Sequence, residues 1–174
     1  MAQDDLYEEA AKTYAAALER LARAYEADSD KRRDLLQEIR LELWRSFDKF
    51  DRRCSLRTWV YRVAHNTSAS YVLRQRRLNF RNLVSLEELD TTPTDRDLVA
   101  HSEQRHALDR LLRLIHRLKP LDRQLMLLYL EDMDAASIGE ITGISTSYVR
   151  TQIHRIKTIL SRRFHGGDDD AKHE

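Results

Sequence analysis

The chain has a single cysteine, Cys54, two prolines and four glycines in 174 residues. A lone thiol closes no internal disulfide, so a reducing compartment is expected, and Cys54 is read as a passive loop thiol rather than a redox sensor. Sheet proteins need Gly- and Pro-rich turns and strands rich in aromatic and β-branched residues. Here the aromatic share is only 7%. No apolar run is long enough to span a bilayer, and the start, MAQDDLYEEA, is acidic with no apolar segment. Neither membrane insertion nor a signal peptide is expected, and the location expected is the cytoplasm. There is no Gly-rich phosphate loop, no paired Cys and no HExxH, and the seven histidines form no metal-ligand pattern. An enzyme, a metal site and a cofactor are therefore not expected.

What is abundant is Ala, Leu, Arg and Glu, all good helix formers. The expected fold is all-α, with two small helical domains joined by a linker. At 34% charged residues the cores are thin, so each domain is expected to be modestly stable alone.

The net charge of +1 is uninformative, but its distribution is not. No acid lies between Asp51 and Glu87, a stretch that carries Arg52, Arg53, Arg57, Arg62, Arg74, Arg76, Arg77 and Arg81. A second acid-free stretch, 141–167, carries Arg150, Arg155, Lys157, Arg162 and Arg163. Solvated helix faces usually mix signs, so two segregated basic patches point to two phosphate-contacting surfaces.

Apolar spacing places a first domain at 5–77. Leu6, Ala10, Tyr14, Ala17, Leu18, Leu21 and Tyr25 recur at helical intervals. Asp28-Ser29-Asp30 offers a break and a cap for a helix carrying Leu35, Leu36, Ile39, Leu43 and Phe47. After a loop, Ser55 caps a third helix that runs to about Arg77, with Leu56, Val60, Val63, Ala64, Thr67 and Tyr71 inward. Residues 78–102 lose periodicity, hold Glu87, Glu88, Asp90, Asp95 and Asp97, and read as an acidic linker. The second domain is expected at 103–165 and a disordered tail at 166–174. In the second domain Leu108, Leu111, Leu112, Ile115 and Leu118 face inward. Pro120 precedes a short helix with Leu125, Leu128 and Tyr129, and Val149, Ile153, Ile156, Ile159 and Leu160 line the last helix.

Residues 137–156 have the spacing of a helix-turn-helix. Gly139 supplies the small residue where two helices cross, and Gly143 the positive φ of the turn. Ile144 plugs the space beneath, Ser145 caps the second helix, and Val149 and Ile153 pin it. The outward face then offers Thr146, Ser147, Tyr148, Arg150, Thr151, His154 and Arg155, groups that read major-groove edges and phosphates. A plain helical hairpin is the bland alternative.

The segment from Ser55 to Asn66 interleaves Arg57 and Arg62 with Trp59 and Tyr61. Trp59 and Tyr61 cannot share one helix face, so at least one ring is expected exposed or edge-on. Rings that stack on bases, arginines for phosphates and an Asn for a base edge suit a single-stranded nucleic acid. A partly buried aromatic pair with a solvated Arg face is the alternative.

In combination, these stretches resemble the extracytoplasmic-function sigma factors of the primary-sigma family, minimal members that keep two helical domains, region 2 and region 4. The resemblance covers roughly residues 10–165. Leu35 to Arg45 looks like the region 2 helix that docks on polymerase, followed by Phe47-Asp48-Lys49-Phe50-Asp51. Ser55 to Thr67 is similar to the melting and −10-reading segment, Leu118 to Arg123 to the lead-in to region 4, and the helix-turn-helix to its −35 reader.

The resemblance implies a protein without catalysis of its own that binds bacterial core RNA polymerase, through the beta and beta-prime subunits, and directs promoter recognition. It implies polymerase contact at Gln37, Glu38, Arg40, Leu41, Trp44 and Asp48. It implies −10 single-strand contact at Arg53, Arg57, Trp59, Tyr61, Arg62, His65, Asn66, Ser70, Arg74, Arg76 and Arg77, with Asn66 near a flipped-base pocket. It implies −35 contact at Thr146, Ser147, Tyr148, Arg150, Thr151, His154 and Arg155, and an anti-sigma factor or other regulator as a further partner. The chain departs from many relatives at Ser70, where an Asp is common, and at Arg150-Thr151-Gln152, where Lys-Ser-Arg is common. Both departures bear on which promoter is read. The rival readings are a dimeric helix-turn-helix regulator with an unrelated sensor domain and a helical interaction protein without DNA. The first does not need the Trp/Tyr/Arg helix, and the second does not need two acid-free surfaces.

Overall fold

A computed structural model describes residues 3–79 and 103–165, with side chains at 3–75, 107 and 109–163. Every regular element among the described residues is helical, with no strand among them. The acidic linker and the tail expected at 78–102 and 166–174 lie almost wholly outside the described residues.

The helices are α1 (Gln3–Thr13), α2 (Ala15–Tyr25), α3 (Ser29–Ser46) and α4 (Leu56–Asn79), then α5 (Glu103–Arg117), α6 (Pro120–Leu130), α7 (Ala135–Thr142) and α8 (Thr146–His165). The helical spacing over 5–27 resolves into two helices that bend at Tyr14. The bend lets α1 lie along α3 while α2 turns onto α4. Asp28 caps α3 by accepting from the amides of Asp30 and Lys31, both at 3.0 Å. The Ser55 hydroxyl caps α4 by accepting from the Thr58 amide at 3.0 Å.

Leu18, Leu21, Leu35, Ile39, Leu43, Val60, Ala64 and Tyr71 pack as the core of the first lobe. In the second lobe Ile115, Leu118, Leu125, Leu128, Ile138, Val149 and Ile156 close a core between α5, α6, α7 and α8. Pro120 takes the first position of α6, where its missing N–H costs nothing. Tyr129, expected to face inward, stands at the surface instead. Its hydroxyl accepts from the Lys157 ammonium at 2.8 Å, which gives the polar end a partner that a dry core would deny it.

The lobes lie against each other, with α4 seated on α6 and α7, and α2 on α5. One buried contact crosses the seam: the Arg123 guanidinium, at the start of α6, stacks over the Tyr25 ring of α2 with its centre 5.2 Å from the centroid. Arg123 also donates to the carbonyls of His116 and Leu118, so its charge is solvated by carbonyl oxygens rather than by a carboxylate.

Candidate nucleic-acid interface

The helix-turn-helix is built around two glycines. A Cβ on Gly139 would lie 2.8 Å from the Ile144 backbone oxygen, so only glycine lets α7 pass this close to the turn. Gly143 adopts φ 77°, the left-handed cap that ends α7, and its amide donates to the Gly139 carbonyl. Asp134 caps the start of α7 by accepting from the Ser137 amide at 2.8 Å. Thr142, at a position where such motifs carry an apolar residue, turns its hydroxyl onto the Ile138 carbonyl at 2.7 Å and so satisfies it within the helix.

The Ser145 hydroxyl caps α8 through the Tyr148 amide at 3.3 Å. Val149, Ile153 and Ile156 hold α8 to the core. Ser147, Tyr148, Arg150, Thr151, His154 and Arg155 face outward and Thr146 is half-buried. This is a helix face of hydroxyls, rings and guanidinium groups held by apolar residues on its other side, the arrangement of a recognition helix.

The face of α4 is divided. Arg53 is exposed beside Asp51, and Asn66 and Ser70 are exposed. Arg74 is bound at both oxygens of Glu38, so a residue assigned to the −10 strand and one assigned to polymerase contact pair with each other. The side chains of Arg76 and Arg77 lie outside the described residues. Trp59 is half-buried, tilted against Phe50 with centroids 5.2 Å apart, and its indole N–H donates to the Ser46 hydroxyl at 2.9 Å.

Tyr61 and His65, both in the −10 contact set that the resemblance implies, are buried, Tyr61 in line with the partly buried alternative for this segment. Their rings stack on each other, and His65 Nδ1 shares a 3.1 Å hydrogen bond with the Tyr25 hydroxyl. Burial pushes the His65 imidazole down to about 3, so it is neutral, and its Nε2 has no hydrogen-bond partner. The Tyr61 hydroxyl donates to Glu131 Oε2 at 2.9 Å. Neither aromatic of the α4 segment is therefore a freely exposed ring.

Arg57 and Arg62 reach across the seam. Arg57 donates to the Glu131 carbonyl at 2.6 Å and Arg62 to the Glu140 carbonyl at 2.8 Å. The Glu131 carboxylate also receives both Nε and Nη2 of Arg20, each at 2.7 Å. Burial pushes the Glu131 carboxyl up, but the hydrogen bonds of Arg20 and Tyr61, with the charges of Arg20 and Arg57, outweigh it and hold the group below the usual range. The residues missed at the sequence level are Arg20 and Glu131. They are 111 positions apart, and nothing in their local patterns links them.

Of the residues expected to contact polymerase, Gln37, Arg40, Leu41, Trp44 and Asp48 are exposed and Glu38 is half-buried. Leu41 and Trp44 are 45% and 41% exposed, an apolar pair that its own lobe leaves open on one side. The Trp44 indole N–H donates to Asp4 of α1 at 2.9 Å. Among the described residues no group of His, Cys, Asp and Glu is placed to hold a metal ion, and no helix is long and apolar enough to cross a membrane. Burial raises the Cys54 thiol above its ordinary range, against the opposing charge of Arg62.

The geometry defines an all-helical DNA-binding protein whose helix-turn-helix is paired with a second basic helical lobe. Residues 10–78 match the Sigma-70 region 2 family and residues 108–160 match Sigma-70, region 4. Among curated proteins, the chain is 24% identical over 141 residues to "RNA polymerase sigma factor SigV" of Bacillus subtilis, covering 81% of this chain and 80% of that protein. It is 25% identical over 143 residues to "ECF RNA polymerase sigma-E factor" of Haemophilus influenzae, covering 75% and 72%. Among solved structures, sigma factor RpoE from Bartonella quintana, in complex with the anti-sigma factor NepR, has a TM-score of 0.68 at 17% identity, covering 93% of this chain and 97% of that one. CnrH, in complex with the cytosolic domain of CnrY, has a TM-score of 0.63 at 18% identity, covering 89% and 84%.

With both regions present in order, the chain belongs to the sigma-70 family as an extracytoplasmic-function RNA polymerase sigma factor. It directs transcription initiation and catalyses no reaction of its own; its domains bind core RNA polymerase and promoter DNA.

Proposed function

We propose that the two basic lobes divide the promoter between them in the cytoplasm. The outward face of α8, from Thr146 to Arg155, enters the major groove of the −35 element. The α4 face captures the melted −10 strand through Arg53, Arg57, Arg62, Asn66, Ser70 and Arg74, with Arg76 and Arg77 extending it. Trp59 braces that helix against Phe50, and His65 shapes its interior. The exposed Leu41–Trp44 pair, with Gln37, Arg40 and Asp48 around it, docks on core polymerase through the beta-prime subunit. An anti-sigma factor is the partner that would hold such a chain inactive, as the NepR complex of RpoE suggests.

The observation that carries this reading is the face of α8, which is polar, exposed and free of acids over a glycine-built crossing. The test is transcription by purified bacterial core polymerase with and without the chain. Start-site-specific transcripts that depend on the chain support the reading. Failure to associate with core, together with tight dimeric binding to duplex DNA, overturns it in favour of a conventional regulator.

A further inference from the structure

Among the described residues, His65 Nε2 is buried without a hydrogen-bond partner. Leaving such a group unmatched costs free energy, so it calls for a physical account. His65 also stands in the wall of a cavity of about 300 Å³ between the lobes. Leu21 of α2, Leu111 and Leu112 of α5, and Leu127 and Leu130 of α6 give that wall its apolar character. The volume is that of about ten waters, yet the leucines offer water no partners. An apolar body supplies the contacts that such a space lacks. Clefts of this kind between domains are where small molecules bind most readily.

The polar groups around the cavity narrow the choice of ligand. Arg20 and Arg23, both exposed, stand at its edge. Each already faces a carboxylate, Glu131 at 2.7 Å and Asp109 at 2.9 Å, so neither offers a bare charge. A charged ligand would lose hydration there without gaining a free counter-ion. His65 is neutral, since burial pulls it down to about 3, and burial raises the Tyr25 hydroxyl, which keeps its proton. The Tyr25 hydroxyl and His65 Nδ1 share a hydrogen bond at 3.1 Å. If Nδ1 donated, the Tyr25 proton and Nε2 would both go unmatched. With Tyr25 donating, the ring proton sits on Nε2 and is the single group left over. The arrangement that satisfies more groups therefore leaves His65 with one free donor.

We propose that the seam cavity is a binding site for a small, neutral, largely apolar molecule with one hydrogen-bond acceptor, which the Nε2–H of His65 meets. The wall is drawn from α2, α4, α5 and α6, so the ligand is held by both lobes at once. The inference goes beyond the promoter reading and does not depend on it.

The test uses the full chain and two probes of one shape. Acetophenone carries a carbonyl acceptor, and α-methylstyrene replaces that oxygen with a methylene. Binding is followed by the unfolding midpoint and by NMR, including the His65 ring nitrogens. Acetophenone is expected to raise the midpoint with concentration, to shift the amide signals of Leu21, Leu112 and Leu127, and to move the Nε2 resonance. In His65→Leu the preference for the ketone over the alkene is expected to fall about ten-fold. Leu112→Trp fills the cavity from a half-buried position and is expected to abolish binding of both probes. Circular dichroism checks that each variant folds, and the Nε2 resonance of the wild-type chain keeps the test readable if His65→Leu does not. Absence of saturable binding of either probe, an Nε2 signal that stays still at saturation, or a ketone preference unchanged in His65→Leu would each overturn the site. Undiminished binding to Leu112→Trp would also overturn it, by placing the probes elsewhere on the chain.

Discussion

α8 and α4 are both basic, and the fold treats them differently. α8 buries only its apolar stripe and leaves Tyr148, Arg150, Thr151 and His154 in solvent. α4 buries the middle of the face proposed for nucleic acid, with Tyr61 and His65 inside and Arg57 and Arg62 engaged by the second lobe. The difference separates two properties that sequence merges: a surface can carry the charge for nucleic acid without being available to it. A duplex reader meets DNA that is already in its final form. A single-strand reader has no use for its groups until the duplex opens, so covering them costs the protein nothing beforehand.

The comparison breaks most sharply at Gly139. Adding a methyl there sets a Cβ 2.8 Å from a backbone oxygen, so α7 must shift against α8. Gly139→Ala is expected to destabilise the second lobe by about 1–3 kcal/mol and to abolish −35-dependent transcription. Calorimetry and a promoter-binding assay would check it; wild-type stability and −35 binding would show the crossing to be looser than the backbone contact implies.

Arg150→Ala tests the open reader without touching its frame, since the side chain is exposed. A loss of about 1–3 kcal/mol in binding of holoenzyme to −35 duplex is expected, with the unfolding midpoint unchanged. An equal loss on all duplex sequences would reassign Arg150 to phosphate rather than base contact.

The covered reader can be probed by acid. The His65 value in the folded chain, about 3, lies below its ordinary 6.5, so the unfolded chain takes up the proton first as pH falls. Stability present above 6.5 is therefore lost progressively between 6.5 and 3, at no more than about 1.4 kcal/mol per pH unit from this residue. Chemical unfolding from pH 7 to about pH 5, above most carboxyl titration, should show that slope, and His65→Leu should flatten it. An unchanged slope in the variant would place the acid sensitivity elsewhere.

The helices were legible because thin amphipathic helices repeat their apolar residues every three or four positions, and Leu35, Ile39, Leu43, Val149, Ile153 and Ile156 all face inward as their spacing demands. The glycine turn was legible because Gly139 answers a close backbone approach that a Cβ would block, and Gly143 a left-handed turn that favours glycine. The seam was not legible. Helical periodicity says which stripe of α4 is apolar, but not which lobe covers the rest. Tyr61 has a polar end that reads equally as a surface group or as a buried donor until Glu131 is placed beside it. Tyr129 was misplaced for the converse reason, since its partner Lys157 comes from the far side of the helix-turn-helix.

The way Gly139 and Gly143 support the turn has a consequence for how new members of such a family arise. Because the crossing is held by backbone contact and by the apolar underside of α8, the outward positions contribute little to the lobe's cohesion. They are interchangeable in the way that the cuts of a key are independent of its blade. On the proposed reading of α8, reprogramming the target of this protein then requires only a handful of substitutions between Ser147 and Arg155. A duplicated copy can drift to a different set of promoters without passing through a misfolded intermediate.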